Sequence, residues 1–368
     1  MSKSRREKFL EFARNSTNVN RILVIRNGLI GDTVFVTPVL KRLRDNFTNA
    51  RLDFATSAKS LPLLKYYPLV NAIYSIPGRF SVVEHSKFFF SLRKFHYDIV
   101  VVQEVNPHYI LMAKLVKGKF LIGFKNSFEF LSDFSVNRPI GVHAVLAETE
   151  TVRQWTNSIS PVATELPITA EELTESRNLL LGNGVKDLDM IVCIHPGCSN
   201  KGSEKEWVDQ YYAELADSLI QNKKVEIVFE GVEGERELVD RVIAKMKFPS
   251  VSLVGKTNLR QVLGVLKTSR VVIGSDTGTL HLANAVGTPV VMLFGRTDPT
   301  DTGPFDPSGS SKFVRVDLPC IGCVHRDPIP SQWERCKNMR PVLCMRKLTP
   351  QTVYHAVIEA LNLNRRMV

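Results

Sequence analysis

At 368 residues the chain exceeds what one hydrophobic core usually supports, so two domains are expected. Hydrophobic residues at 44% and charged ones at 23% exclude wholesale disorder, and no apolar run is long enough to span a bilayer. A net charge of +11 favours anionic partners (nucleic acid, an acidic membrane face or phosphorylated substrates) without choosing among them.

The opening residues, Met1 to Lys8, are basic but lack the apolar stretch and cleavage site of a signal peptide, which leads one to expect a cytoplasmic protein. Residues 5–15 set Phe9, Leu10, Phe12 and Ala13 among Arg5, Arg6, Lys8 and Arg14. That pattern fits a short helix, lying on a membrane surface or packed as an arm on its own domain. From Arg21 the chain alternates strand and helix. Ile22–Ile25 is a continuous apolar run that breaks at Asn27-Gly28, as a buried parallel strand should. Residues 33–46 read as a helix, and strands are expected at Leu52–Thr56, Asp98–Gln103 and Phe120–Phe124.

Pro161 and Pro167 mark a linker region, placed at 161–185 between a domain of residues 1–160 and one of 186–349. The second alternation has strands at Met190–Ile194, Val225–Phe229, Val251–Val254, Val271–Gly274 and Pro289–Phe294. Its helices fall at 207–222, 233–247 and 258–268. A last helix, 350–362, has Thr349 as N-cap and Pro350 in its first turn, within a tail of residues 350–368. The expected fold class is α/β, two Rossmann-like doubly wound domains facing across a cleft at the carboxyl edges of their sheets.

Chemistry concentrates where a buried strand runs into Gly274-Ser275-Asp276-Thr277-Gly278-Thr279-Leu280-His281. Small residues at a helix start expose N–H groups to a phosphate, and the helix dipole helps. Thr277 and Thr279 add hydroxyls, and His281 lies one turn on. The plainer alternative is an ordinary helix cap with a buried histidine.

Ser275 to Ala283, followed by Gly287-Thr288-Pro289, Leu293-Phe294-Gly295, Thr297-Asp298-Pro299 and Gly303-Pro304-Phe305, resembles the donor-site signature of the ADP-heptose:lipopolysaccharide heptosyltransferases. This is a family of glycosyltransferases with the GT-B fold. Val254 to Leu259 is similar to it as well, and so is Gly28-Leu29-Ile30-Gly31-Asp32-Thr33 before Thr37-Pro38. The resemblance implies an inverting transfer of heptose from ADP-heptose to the inner core of lipopolysaccharide, at the cytoplasmic face of the inner membrane. Transfer of another sugar by the same fold, and a non-catalytic nucleotide- or nucleic-acid-binding protein, are the alternatives. The spread of basic residues and the lack of a nucleic-acid motif argue against a nucleic-acid partner.

The resemblance gives Asp32 the role of general base; the residue types alone also admit a helix N-cap. The first loop lacks a full G-x-G-x-x-G, which counts against a dinucleotide oxidoreductase. The resemblance also implies that Lys205, before Trp207, binds the donor phosphates, with Lys201 as the competing choice, and that Glu235 approaches the donor ribose. Asp276, Thr277, Gly278, Thr279 and His281 complete the donor set, and catalysis is expected to need no cofactor. Arg79, Lys87, Arg93 and Lys94 around Phe88-Phe89-Phe90 suit an acidic, lipid-linked glycan acceptor. Cys320, Cys323, Cys336 and Cys344 have a spacing that admits a structural zinc, or remain reduced or redox-labile thiols.

Overall fold

The computed structural model describes residues 3–78, 81–157, 162–198, 204–323, 336, 339 and 341–365. The chain divides into two compact units, Met1–Leu166 and Pro167–Val368.

In the first unit the strands are β1 (Arg21–Arg26), β2 (Arg51–Ser57), β3 (Ala72–Ile76), β4 (Ile99–Val102), β5 (Phe120–Phe124) and β6 (Phe134–Val136). Among the described residues they form one parallel sheet in the order β3-β2-β1-β4-β5-β6. The helices are α1 (Arg5–Arg14), α2 (Ile30–Asn46), α3 (Val82–Leu92), α4 (Pro107–Ala113) and α5 (Ala144–Arg153). The middle of β1 and all of β4 are apolar because helices cover both faces: Leu23, Ile25, Val100 and Val102 pack with Phe89, Leu92 and Ile110 on one side. Helix α2 carries Pro38 in its interior. Its missing N–H would have met the Val34 carbonyl, and the Thr37 hydroxyl donates to that oxygen instead at 2.8 Å.

The second unit repeats the plan. Its strands are β7 (Ile191–His195), β8 (Glu226–Phe229), β9 (Val251–Ser252), β10 (Val271–Ser275), β11 (Val290–Phe294) and β12 (Lys312–Arg315). Among the described residues they lie parallel in the order β12-β11-β10-β7-β8-β9. Around them run α6 (Ala170–Gly182), α7 (Asp209–Lys223), α8 (Arg236–Ile243), α9 (Leu259–Thr268), α10 (Gly278–Ala285), α11 (Pro299–Thr302), α12 (Leu343–Lys347) and α13 (Pro350–Arg365). Val353, Val357 and Ala360 of α13 join the core beside Leu215 and Leu219 of α7. The buried Trp207 donates its indole N–H to the Leu348 carbonyl at 2.8 Å. Each unit is thus the doubly wound α/β fold that the alternation predicts.

Several details differ from the sequence reading. Part of the stretch read as linker is helix α6, started by a reciprocal cap in which Thr169 and Glu172 each accept the other's backbone N–H. Helix α1 packs on its own unit: Phe9 is fully buried against Phe120, Phe134 and Trp155. The three phenylalanines of α3 split by helical position, with Phe89 buried, Phe88 half-buried and Phe90 exposed. Among the described residues no helix is long and apolar enough to cross a membrane.

Candidate functional site

In a doubly wound sheet the loops part where the strand order reverses, which opens a crevice at the carboxyl ends of the two strands involved. The first unit reverses between β1 and β4, the second between β7 and β10. The charged clusters of the two units lie at these points.

In the first unit, α2 begins at Ile30, so Asp32 stands in its first turn rather than at its cap. One carboxylate oxygen accepts the Leu29 N–H at 2.8 Å, and the other accepts Nη2 of Arg26, the last residue of β1, at 2.9 Å. The Asp32 side chain keeps about a third of its surface exposed, so each oxygen has a lone pair left for a substrate. Gly28 makes room for it: a Cβ there would collide with the Asp32 Cβ and lie 2.6 Å from Oδ2. After β4, Glu104 accepts the Asn27 N–H at 2.7 Å and lies 3.8 Å from Arg26. From α5, the buried Glu148 lies 3.6 Å from Arg26 and 3.5 Å from Arg138. Burial pushes the Glu104 carboxyl up to about 7 against the pull of Arg26, and raises Glu148 too.

In the second unit, Asp276 follows β10 and is buried. Lys205 donates to its carboxylate at 2.8 Å and to its carbonyl at 3.0 Å, while His281 Nε2 lies 3.2 Å from the other oxygen. The Thr302 hydroxyl adds a donor at 3.2 Å. Burial disfavours the charge on Asp276, but His281 and Lys205 outweigh it and hold the carboxyl well below its usual range. Asp276 is therefore an anchor for Lys205 and His281. Thr277 stands at the N-cap of α10 in extended conformation, and its buried hydroxyl has no hydrogen-bond partner among the described residues. An orphaned donor at a helix start is what an incoming phosphate oxygen would satisfy.

Beside it, at the end of β7, His195 lies 3.4 Å from the Thr279 hydroxyl through Nε2. Its Nδ1 meets the Glu230 carbonyl at 3.1 Å and the Glu230 carboxylate at 3.2 Å. Glu235 lies 3.9 Å from Nε2 and accepts the Val232 N–H at 2.9 Å. Burial pulls the imidazole pKa down, yet Glu230 and then Glu235 push it up to about 9, so His195 carries a positive charge at neutral pH.

The structure thus brings Lys205, Asp276, Thr277, Gly278, Thr279, His281 and Glu235 into one neighbourhood. His195 and Glu230 there, and Arg26, Glu104 and Glu148 around Asp32, were missed by sequence reasoning. The visible signal was a charged residue just after an apolar strand. Lys87, Arg93 and Lys94 are exposed on or just after α3. Arg93 and Lys94 follow the carboxyl end of that helix and lead into the start of β4, away from the strand ends that carry Asp32. Arg79 and Lys201 lie outside the described residues. Cys320, Cys323, Cys336 and Cys344 line one small cavity of about 20 Å³ with Leu318, Val342 and Leu343. Burial pushes the Cys344 thiol up to about 12. Among the described residues no group of three or more side chains is disposed to hold a metal ion.

The family model described as glycosyltransferase family 9 (heptosyltransferase) matches residues 85–333, more than half of the chain. The lipooligosaccharide heptosyltransferase 2 of Haemophilus influenzae is 25% identical over 317 residues, covering 80% of this chain and 88% of that protein. Among solved structures, a glycosyl transferase family 9 protein from Veillonella parvula superposes with a TM-score of 0.81 at 18% identity, covering 98% of this chain and 99% of the other. The ADP-heptose lps heptosyltransferase II of E. coli superposes with a TM-score of 0.76 at 20% identity, over 94% and 99% of the two chains. At those identities the superpositions speak for the fold.

Proposed function

This chain belongs to glycosyltransferase family 9, the heptosyltransferases, and on that premise we propose that it transfers a heptose from ADP-heptose to the inner core of lipopolysaccharide. The relatives that match along most of its length are named as a lipooligosaccharide heptosyltransferase and an ADP-heptose lps heptosyltransferase. The observation that carries the reading is the start of α10 in the second unit, where the buried Thr277 hydroxyl has no partner among the described residues and Asp276 anchors Lys205 and His281 at the adjoining position. A nucleoside diphosphate leaving a sugar needs this chemistry, because negative charge grows on its oxygens as the bond breaks.

In the proposed scheme the second unit binds the nucleotide sugar and the first binds the acceptor glycan. Asp32 takes the proton of the acceptor hydroxyl as its oxygen attacks the anomeric carbon, inverting it. The diphosphate departs onto the N–H groups of residues 277–279 and the ammonium of Lys205. Asp276 and His281 hold that lysine in place, and Glu235 addresses the ribose. This division of labour assigns charge stabilisation to protein groups, with no cofactor taking part. Lys87, Arg93 and Lys94 serve the anionic membrane surface that carries the acceptor, consistent with the +11 charge.

The four late thiols gather at a cavity of about 20 Å³ without, among the described residues, the disposition of a metal site, and we read them as reduced thiols, the other reading that their spacing admits. Elemental analysis of the purified protein tests this, and a stoichiometric bound metal refutes it.

The deciding experiment incubates the protein with a lipid A–core acceptor and a panel of nucleotide sugars, with product read by mass. A heptosyl product from ADP-heptose is expected; transfer from a different donor alone would replace the sugar assignment. Asp32→Ala should abolish transfer while leaving ADP affinity nearly intact, and near wild-type turnover would refute the base assignment.

A further inference from the structure

We propose that Arg26 is a positioning residue for the transfer: pinned by Glu104 and Glu148, it holds the Asp32 carboxylate in one rotamer. The inference rests on the reading of Asp32 as the base and goes beyond it.

The guanidinium is almost fully buried and is shared among three carboxylates. One Nη2 proton reaches Asp32 at 2.9 Å, and the Nη1 side donates to the Gln103 carbonyl near Glu104. Neither Glu148 oxygen makes a full hydrogen bond, and the Arg26 Nε is likewise unsatisfied, among the described residues. A network built for stability would satisfy these groups or replace them with apolar ones, since buried charges without hydrogen bonds are costly. Of the three carboxylates around Arg26, Glu104 and Glu148 are raised by burial, and Asp32 is the one that meets solvent.

The groups facing this site are Glu104 after β4, Glu148 from α5, Arg138 after β6 and Tyr109 of α4, which is hydrogen-bonded to Asn27. How firmly Arg26 is pinned depends on the two glutamates. While Glu104 keeps its proton, the guanidinium is held on that side by the Gln103 carbonyl; as Glu104 ionises near pH 7, its charge adds to that hold and fixes Arg26 against Asp32.

The test is the pH profile of kcat/KM for the full chain with ADP-heptose and lipid A–core acceptor. Arg26→Met should lower kcat by about tenfold with KM and ADP affinity little changed, because Asp32 loses the group that orients it. Arg26→Lys should restore part of that loss. Glu104→Gln should remove the inflection near pH 7 while keeping the acid limb, and Glu104→Asp should retain it. Glu148→Gln should alter the profile with melting temperature at or above wild type. Binding of ADP to the second unit and the melting curve serve as folding controls, and the Lys and Gln variants decide the matter if Arg26→Met fails to fold. Profiles that overlay wild type in Arg26→Lys and Glu104→Gln would overturn the inference. If Asp32→Asn keeps its turnover, the base assignment falls with it; if Asp32→Asn is dead but the other profiles are unmoved, only the role of Arg26 falls.

Discussion

His195 sits where burial and charge oppose one another, and the outcome is visible in stability. Its folded pKa, about 9, lies above its ordinary value of 6.5. The stabilisation is therefore fully present below pH 6.5 and is lost as pH rises through about 9. Over that window wild type should lose about 2–3 kcal/mol that His195→Gln does not lose, measured by urea denaturation at stepped pH. Equal slopes in both proteins would show the imidazole to be neutral. Lys205 makes a different claim. Its ammonium is half-exposed and rests on a carboxylate already anchored by His281 and Thr302. Lys205→Ala should lower kcat/KM by about 100-fold, through transition-state charge left unmatched, while the fold is kept. A drop confined to KM would assign it to ground-state binding alone. Of these residues the sequence reading named Lys205, before Trp207 in a motif, with Lys201 as the competing choice. His195 and Glu230 stand 35 residues apart and meet only because β7 and β8 are neighbours.

The elements were legible in proportion to their burial. β1, β4, β5, β7, β10 and β11 are almost wholly buried and announce themselves as apolar runs. β3, β6 and β12 went unread: they are sheet-edge strands, two of them half-exposed, and short or mixed in composition. Helix α6 was hidden by the prolines before it, although Thr169 and Glu172 already spelled its start. Helix α1 gave an ambiguous pattern because its exposed face is basic, which suits water as well as a membrane. Its anchor is Phe9, wedged among Phe120, Phe134 and Trp155. Phe9→Ala should cost about 3–5 kcal/mol in unfolding of the first unit, followed by tryptophan fluorescence in urea. A cost below about 1 kcal/mol would mean that the helix is held elsewhere.

Across the whole molecule, one strand order serves twice, and each copy keeps its charged residues at its own reversal of winding. The two α/β units could be read from alternation, and the loops at 27–32 and 274–281 from the apolar strands before them. The ion network around Arg26 could not, since its members come from β1, the loop after β4 and α5. The tail has a consequence of the same long-range kind. Trp207 lies two residues past Lys205, and its indole is tied to the carbonyl of Leu348, 141 residues later. The last helices thus act as a clasp on the lysine segment, and ending the chain at residue 347 would unfasten it. Such a shortened protein should still hold the first unit intact yet bind ADP more weakly, which calorimetry would read directly.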